Sequence, residues 1–179
     1  MNICVFGMGY VGCVTAACLV KQGHRVIGVD VIQEKVDKLN QGNWPIYEPK
    51  IDQLNKKDFF RKNFLATTDE VEALENSDLI LICIGTPSMQ NGDVNLNYLQ
   101  TAFNNISDYL NKYPREYFIF LRSTVPPGTT RKLLYNRLKH DKGKVQIAFL
   151  PEFLREGNAI DDFFSPSMKV LGCEKDFPI

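Results

Sequence analysis

The sequence predicts an α/β fold in which helices cover both faces of a doubly wound, mostly parallel sheet. Short runs rich in Val, Ile and Phe recur along the chain, and helix-length segments with apolar residues at three- and four-residue spacing lie between them. Strand alternating with helix is typical of a parallel sheet that is buried on both sides. The 179 residues, 44% of them hydrophobic, can bury one substantial core, so we expect a single domain over residues 1–179.

The predicted strands follow the apolar runs in order. Runs of this length with many β-branched and aromatic residues are typical of buried strands. They are NICVF (2–6), RVIGVD (25–30), FLATT (64–68), LILICI (79–84), YFIFL (117–121), VQIAFL (145–150) and KVLG (169–172).

Helices are predicted between these strands. The first spans 10–22 and ends before Gly23, a residue that commonly stops helices. Segments with a mixed polar face predict three more, at 33–40, 96–112 and 130–139. Between 41 and 62 the pattern is less regular, where GNWPIYEP indicates a loop and IDQLNKKDFFRK (51–62) a polar helix.

Charge and composition exclude several classes of function. Lys plus Arg and Asp plus Glu both number 21, so the chain has no net basic field that would attract nucleic acid or an anionic membrane. Met1 leads directly into an apolar strand without a basic leader, and no apolar stretch reaches the roughly 18 residues of a membrane span. We therefore expect no nucleic-acid or membrane partner, and a cytoplasmic location.

Cysteine and histidine give no sign of a metal site. The five cysteines form no C-x-x-C pair, and the two histidines are isolated in the sequence. Neither a disulfide framework nor a zinc site is indicated. Three cysteines, Cys4, Cys18 and Cys83, lie in apolar sequence and are expected to be inert buried thiols.

A glycine turn after the first strand predicts a dinucleotide site of the Rossmann type. FGMGYVG places Gly7, Gly9 and Gly12 in a G-x-G-x-x-G pattern that a helix follows at once. Such a site needs Gly7 for the sharp turn, Gly9 for the approach of a pyrophosphate, and Gly12 for close packing of helix on strand. The helix N-terminus then offers free amides to the phosphates. A tight turn without a ligand would also use glycines, but strand, turn, helix and second strand occur here in the required order.

Asp30 ends the second strand, 18 residues after Gly12. That spacing is close to the one at which a carboxylate accepts hydrogen bonds from a ribose. A carboxylate here would repel a 2′-phosphate, so NAD is expected in preference to NADP. Lys35, one turn into the next helix, is placed to reach the adenosine phosphate or ribose, although a solvated lysine fits the pattern equally well.

The later strands also end in polar loops. LILICI is followed by Gly85-Thr86-Pro87, and YFIFL by RSTVPPG, which contains Thr124. In an open parallel sheet the carboxyl ends of the strands meet at one edge, where ligands bind. We therefore expect both threonines to face the dinucleotide, although each on its own could equally cap a helix.

The heptapeptide PEFLREG follows the strand VQIAFL and carries Glu152 and Glu156. We expect these carboxylates to face the nicotinamide half of the cofactor and its substrate. A carboxylate shielded from water there can act as a general base. The alternative is a solvated Arg–Glu pair in the first turn of a helix that runs into NAIDDFF, since acids favour that position.

Six motifs in this order and spacing resemble the N-terminal, NAD-binding domain of the UDP-glucose/GDP-mannose dehydrogenase family. They are FGMGYVG, GVDV with Lys35, NQGNWPIYEP, GTPS followed by NGD, RSTVPPGTT, and PEFLREG with the AIDDF beyond it. The likeness covers essentially the whole chain. It implies a two-step, four-electron oxidation of a nucleotide sugar's 6-hydroxyl to a carboxylate, with two NAD molecules and a thioester on a catalytic cysteine.

The resemblance also implies roles for individual residues. Glu152 would serve the water and proton chemistry of the second step, and Thr124 would place a water or hydroxyl nearby, so these two are the catalytic candidates. Phe153, Leu154 and Arg155 would line the nucleotide-sugar side. The residues expected to contact NAD are Gly7, Gly9, Tyr10, Val11, Gly12, Asp30, Lys35, Thr86, Thr124 and Glu156.

The chain departs from the family pattern at several positions. Leu150 stands where members usually have Asn before PEF, and Lys50 stands where a glycine commonly follows YEP. The family's nucleophilic cysteine lies in a G-G-S-C-F-P-K-D stretch that these 179 residues do not contain, nor do they contain the middle helical and C-terminal sugar-nucleotide domains. Cys173 lacks that context and is not taken as the nucleophile. We therefore expect the chain alone to be inactive.

Several functional alternatives stay open from the sequence. The chain could be a non-catalytic NAD-binding module or a truncated remnant, or it could belong to another NAD-dependent hydroxy-acid dehydrogenase, against which PEFLREG and RSTVPPGTT argue. Among sugars, UDP-glucose is expected ahead of GDP-mannose, although GTPSMQNGD and SPSMKVLG favour the GDP-mannose branch. Because the family's middle domain commonly forms the dimer, we expect a homodimer of the full-length protein and a monomer of this chain.

Overall fold

The fold is built around one twisted sheet. A computed structural model describes residues 1–54, 57–135, 138, 145–174 and 177. Over these residues the strands are β1 (Asn2–Phe6), β2 (Arg25–Val29), β3 (Phe64–Thr67), β4 (Leu79–Ile82), β5 (Tyr117–Leu121), β6 (Val145–Phe149) and β7 (Gly172–Cys173). They form a single sheet in the order β3-β2-β1-β4-β5-β6-β7.

Every pairing in the sheet is parallel except the last, where β7 runs antiparallel to β6. In the registers on either side of β1, Val5 lies opposite Gly28 of β2 and Leu81 of β4. The chain builds outward from β1 in one direction and then returns to build outward from β4 in the other. This arrangement confirms the predicted doubly wound, Rossmann-type α/β fold, and it places a crevice beyond the carboxyl ends of β1 and β4.

Helices cover both faces of the sheet. The first face carries α1, α2 and α4, and the second carries α5 and α6. Their bounds are α1 (Tyr10–Lys21), α2 (Gln33–Asn40), α3 (Ile51–Leu54), α4 (Lys57–Asn63), α5 (Glu70–Glu75), α6 (Asn97–Lys112) and α7 (Ala159–Phe164), with a π-helical segment at Arg131–Tyr135.

The side chains of β1 alternate between two hydrophobic clusters, one on each face of the sheet. Ile3 and Val5 pack in a cluster that includes residues of α1, α2 and α4, whereas Cys4 and Phe6 pack in a second cluster with residues of α5 and α6. Successive side chains of a strand point to opposite faces, so a strand between two helical layers must be apolar throughout. This explains the continuous apolar runs of the sequence.

Most predicted strands and helices are confirmed with small changes at their ends. The runs 25–30, 79–84 and 145–150 end one or two residues earlier as strands. Their backbone bonding nevertheless continues, since the amide of Cys83 donates to Phe6 and that of Leu150 donates to Leu121. The last predicted strand is reduced to Gly172–Cys173.

The predicted helices differ from the structure in three places. The polar helix at 51–62 is two short helices, α3 and α4, and residues 55 and 56 between them are not described. At the predicted helix 130–139, Thr129 and Thr130 are α-helical and lead into the π-helical segment, and residues 136, 137 and 139 lie outside the described residues. Helix α5 was not predicted. Its N-terminus is capped by Asp69, whose carboxylate accepts from the amides of Val71 and Glu72.

No helix within the described residues combines the length and apolar character that crossing a bilayer requires.

Lys50 occupies an unfavourable backbone conformation at the end of the irregular loop. Its φ is 71°, and it is the one described non-glycine residue with a positive φ. Its side chain forms an ion pair with Asp161 of α7, at 2.6 Å between Nζ and Oδ2, with both side chains more than half exposed. An exposed pair of this kind contributes little to stability, whereas the left-handed conformation costs a residue with a Cβ about 1 kcal/mol or more.

We expect Lys50→Gly to be more stable than Lys50→Ala by about 1 kcal/mol in the free energy of unfolding. Both variants remove the ion pair with Asp161, so the comparison isolates the backbone conformation. Urea denaturation followed by circular dichroism measures the difference. Equal stabilities of the two variants would show that the conformation at this position is not strained.

Candidate functional site

The glycine turn between β1 and α1 has the geometry that a dinucleotide site requires. Gly7 has a φ of 88°, and a Cβ built there would lie 2.9 Å from the carbonyl oxygen of Cys83. A Cβ on Gly12 would lie 1.9 Å from the carbonyl oxygen of Gly7. A Cβ on Gly9, in contrast, would meet no atom within 4 Å among the described residues. Gly7 and Gly12 therefore permit close backbone packing, and Gly9 leaves open space in front of the turn.

The start of α1 faces that approach. The first amide of the helix with an intrahelical acceptor is that of Cys13, which donates to Gly9 at 2.9 Å. Gly9 stands at the N-cap position and has no side chain to satisfy the amides of Tyr10, Val11 and Gly12. These amides and the helix dipole favour an anionic group at this position.

A cleft of about 480 Å³ opens beside the turn, beyond the carboxyl ends of β1, β2 and β4. We refer to it as the cofactor cleft. Gly7, Gly9, Asp30 and Lys35 of the predicted site line it, together with apolar walls. Ile32 and Tyr98, which the sequence did not single out, are 50% and 65% exposed, so flat apolar surface is available for an aromatic ring.

Asp30 lies at the edge of the cofactor cleft and is only 8% exposed. Its Oδ2 accepts from the amide of Met8 at 3.0 Å and from Lys35 Nζ at 2.6 Å, and its Oδ1 accepts from the amide of Ile32 at 3.2 Å. A carboxylate has about four acceptor positions, so these bonds leave one on Oδ1. Lys35 is therefore an ion-pair partner of Asp30 rather than a solvated lysine.

Thr86 and Thr124 belong to two different loops that meet at the same edge. The hydroxyl of Thr86 donates to the carbonyl oxygen of Thr124 at 2.7 Å. Thr86 is half-buried, whereas Thr124 is exposed. The bond holds the loops after β4 and β5 together, as expected for parallel strands whose carboxyl ends share an edge. Neither threonine is a helix cap.

The heptapeptide Pro151–Gly157 follows β6 as an irregular segment, and we call it the acid loop. The predicted alternative of a helix beginning in this segment is wrong, since α7 begins at Ala159. Gly157 has a φ of 83°, which a continuous right-handed helix does not permit. Glu152 is half-buried and its Oε2 accepts from the amide of Leu154 at 2.7 Å, while Glu156 is exposed.

Three other members of the acid loop were predicted to line the sugar side. Phe153 is 45% exposed, and Leu154 is half-buried against α1 and α7. The guanidinium of Arg155 donates to Asp162 at 2.6 and 3.1 Å. These hydrogen bonds hold the pKa of Asp162 well below its usual range. Arg155 therefore pairs with an aspartate of α7 and not with a glutamate of its own loop.

A hollow of about 220 Å³ adjoins the acid loop, lined by Arg122, Glu152 and residues of α7 and the segment after it. Arg122, which the sequence did not single out, has a buried Nε–H group without an oxygen acceptor among the described residues. Burial raises the pKa of the Cys83 thiol to about 11, the Arg122 guanidinium opposes that rise, and the Glu152 carboxylate adds to it. Cys83 is therefore a protonated thiol at neutral pH and not a nucleophile.

Glu48 is another residue of the site that the sequence did not single out. Its carboxylate is 4% exposed and lies in the loop between α2 and α3. It accepts from the Tyr10 hydroxyl, from the amide of Gly157 at 2.8 Å and from that of Ala159 at 2.9 Å. Burial and the Glu48 carboxylate raise the pKa of Tyr10 above its ordinary value. Glu48 belongs to the motif NQGNWPIYEP, but the motif alone does not indicate which groups donate hydrogen bonds to it.

The buried cysteines do not add a reactive group to the site. Cys4, Cys13, Cys18 and Cys83 are buried, as predicted for three of them, and Cys173 is exposed. Burial raises the pKa of Cys13 and of Cys18 to about 12. Within the described ranges there is no group of three His, Cys, Asp or Glu side chains that could hold a metal ion.

A further hollow, about 400 Å³, opens at the opposite edge of the sheet, where β2 and β3 begin. Arg25, Arg61 and Lys62 line it, but none of the predicted site residues does. In parallel α/β sheets ligands bind beyond the carboxyl ends of the strands. The candidate site is therefore the cofactor cleft together with the acid loop.

Comparison with known proteins agrees with this geometry. The family model described as "UDP-glucose/GDP-mannose dehydrogenase family, NAD binding domain" matches residues 1–177. GDP-mannose 6-dehydrogenase of Pseudomonas putida is 43% identical over 177 residues, which are 96% of this chain and 40% of that protein. UDP-glucose 6-dehydrogenase AglM of Haloferax volcanii is 36% identical and covers 98% of this chain and 42% of its own length.

A solved structure shares the fold closely. The ternary complex of GDP-mannose dehydrogenase from Pseudomonas aeruginosa superposes with a TM-score of 0.90 at 39% identity, over 97% of this chain and 41% of that one. The chain thus spans about two fifths of the length of the relatives it matches. Its cofactor is NAD, and it belongs to the UDP-glucose/GDP-mannose dehydrogenase family, of which it carries the NAD-binding domain.

Proposed function

We propose that this chain is the NAD-binding unit, over residues 1–179, of a cytoplasmic nucleotide-sugar 6-dehydrogenase. The enzyme oxidises the 6-hydroxyl of the sugar to a carboxylate in two NAD-dependent steps. The observation that carries the proposal is the meeting of the glycine turn, the two threonine loops and the acid loop at one edge of the sheet. The full-length protein acts as a homodimer, and this chain alone binds NAD without oxidising the sugar.

In the proposed complex the pyrophosphate of NAD lies against the start of α1. Gly9 leaves open space there, and the amides of Tyr10, Val11 and Gly12 donate to the phosphate oxygens. Gly7, with its positive φ, makes the turn that leads from β1 toward this helix. The adenine ring lies between the exposed faces of Ile32 and Tyr98.

The adenosine ribose lies against Asp30. The acceptor position left on Oδ1 takes one ribose hydroxyl, while Lys35 holds the carboxylate in place. A 2′-phosphate has only acceptor oxygens to offer to that position. It would therefore leave two acceptors facing each other without a shared proton, which favours NAD over NADP.

The nicotinamide half extends toward the loops after β4, β5 and β6. Thr86 and Thr124 contact the nicotinamide half of NAD. Glu156 of the acid loop contacts it as well. Glu152 is directed toward the hollow beside Arg122, where it takes up the proton of the water that completes the second oxidation. Phe153, Leu154 and Arg155 lie on the nucleotide-sugar side. These roles are proposals that rest on motif positions and on the shared edge.

We propose GDP-mannose as the substrate, ahead of the UDP-glucose that the sequence favoured. Named relatives that oxidise GDP-mannose are 38–43% identical to this chain over 96% of its length. The UDP-glucose dehydrogenase of Haloferax volcanii is 36% identical. The motif GTPSMQNGD already indicated the GDP-mannose branch.

We expect Gly9→Ala and Gly12→Ala to fail in different ways. The Cβ in Gly9→Ala enters open space, so the protein should fold while its NAD affinity falls about tenfold or more, because the pyrophosphate cannot approach. The Cβ in Gly12→Ala meets the Gly7 carbonyl oxygen at 1.9 Å, so unfolding free energy should fall by about 3 kcal/mol or more. Calorimetric NAD titration and urea denaturation measure the two effects. If Gly9→Ala bound NAD with normal affinity, this would contradict the assignment of the pyrophosphate to the glycine turn.

NAD is expected to bind about tenfold or more tightly than NADP, because the free acceptor position of Asp30 meets an acceptor in NADP. Titration of the chain with each cofactor at one ionic strength measures the ratio. Equal affinities would contradict the assignment of the ribose to Asp30.

The catalytic proposal is tested in a chimera in which this chain replaces the matching domain of the Pseudomonas putida GDP-mannose 6-dehydrogenase. We expect the chimera to form NADH with GDP-mannose, and Glu152→Gln to lower its kcat about a hundredfold or more with little change in the KM for NAD. Glu75→Gln, an exposed residue of α5, is the matched control. A fully active Glu152→Gln chimera would exclude Glu152 from the chemistry.

The same swap into the Haloferax volcanii UDP-glucose 6-dehydrogenase should retain a smaller fraction of its parent's kcat/KM. A larger retained fraction in the Haloferax volcanii chimera would favour UDP-glucose as the sugar.

The isolated chain of 179 residues should not reduce NAD with either GDP-mannose or UDP-glucose. Turnover by the isolated chain would contradict its assignment as the cofactor-binding unit alone.

A further inference from the structure

Glu48 joins two parts of the proposed site that are far apart in sequence. Tyr10, which begins α1 next to the glycine turn, donates its hydroxyl to Glu48. Gly157 is the last residue of the acid loop, and Ala159 is the first residue of α7, and both donate their amides to the same carboxylate. The sequence separations to Gly157 and Ala159 are 109 and 111 residues. One buried carboxylate thus ties the helix that faces the pyrophosphate to the end of the acid loop.

The loop that carries Glu48 is itself packed on the same two helices. We call residues 41–50 the strap. Trp44 and Ile46 of the strap pack against a buried cluster that contains Val14 of α1 and Ile160 of α7. Lys50, at the end of the strap, pairs with Asp161 of α7 at 2.6 Å. Contacts of the strap residues that precede Glu48 and of the one that follows it therefore hold Glu48 in position.

The bonding pattern shows which part of the site depends on Glu48. Oε2 accepts from Tyr10 and Gly157, and Oε1 accepts from Ala159. The adenosine side is held by separate contacts, because Asp30 is fixed by Met8, Ile32 and Lys35. Loss of the Glu48 carboxylate should therefore release the acid loop while leaving the adenosine side in place.

We propose that Glu48 is a positioning residue that sets the acid loop against the cofactor helix, so that Glu152 and Glu156 face the nicotinamide ring. The inference rests on the proposed function, since it needs NAD in the cofactor cleft. The oxidised nicotinamide ring carries a positive charge, and two correctly placed carboxylates attract it. NAD should then bind more tightly than ADP-ribose, which has the same adenosine half without the ring.

Glu48→Gln is the test variant. Glutamine has the size of glutamate but a single acceptor oxygen. That oxygen can take the place of Oε2, which accepts from Tyr10 and Gly157, or of Oε1, which accepts from Ala159, but not of both. We expect its Kd for ADP-ribose to stay within about twofold of the wild-type value. The preference of the wild type for NAD over ADP-ribose should disappear in the variant, as measured by calorimetric titration.

Hydrogen exchange provides a readout that does not depend on the ligand. In Glu48→Gln at least one of the amides of Gly157 and Ala159 loses its acceptor, so we expect a peptide that covers 155–160 to exchange about tenfold faster or more. Glu34→Gln is the matched control, because that carboxylate is 77% exposed and bonds only Lys38 among the described residues. It should change neither the exchange nor the two affinities.

The outcomes separate this inference from the proposed function. If the wild type binds neither ligand, the proposed function is wrong and the inference with it. If the wild type binds NAD and ADP-ribose equally, or if Glu48→Gln weakens both ligands to the same degree or leaves the exchange unchanged, the inference alone is wrong. Should Glu48→Gln not fold, Tyr10→Phe carries the same test with one donor removed, and we expect a smaller loss of the NAD preference in it.

Discussion

The site depends on the close contact between the backbone of Gly12 and the carbonyl of Gly7. Only a residue without a Cβ can bring the first turn of α1 so near to the end of β1, where an added Cβ would lie 1.9 Å from that oxygen. The contact fixes the direction of the helix, and the direction decides where its free amides point. It also leaves Gly9 facing open space. In the proposed complex, the position of the phosphates, and from it that of both ends of the dinucleotide, follows from this one contact.

The parallel sheet extends the site along its edge. Since β1, β4, β5 and β6 run in one direction, the loops that follow them meet on one side of the molecule. Two sets of polar contacts then connect these loops: the hydroxyl of Thr86 donates to the carbonyl oxygen of Thr124, and Glu48, from the loop between α2 and α3, bridges Tyr10 and Gly157. The sheet brings the loops to the same edge, and these bonds decide how each loop is oriented there.

Sequence reasoning predicted the features whose causes are local. The glycine turn, the acid at the end of β2 and the apolar strands depend on neighbouring residues, and the structure has all of them. Glu48 was not predicted because its acceptor role depends on partners more than 100 residues away. The alternative of a helix that begins in the acid loop is wrong because Gly157 has a φ of 83°, a conformation that the amino-acid type permits but does not require. Short helices such as α5 have too few residues for a periodic pattern.

The exposure of the acid loop bears on how the proposed chemistry is divided between parts of the enzyme. Thr124 and Glu156 are exposed and Phe153 is 45% exposed, so water reaches the proposed reactive end of the site in this chain. A carboxylate becomes an effective base at neutral pH when it is shielded from solvent, and exclusion of water also strengthens every electrostatic contact with a bound substrate. Glu152 is only half-buried here. The chain therefore provides the groups and their arrangement, and the shielding that would make Glu152 a base must come from the sugar nucleotide and from whatever covers the acid loop in the proposed enzyme.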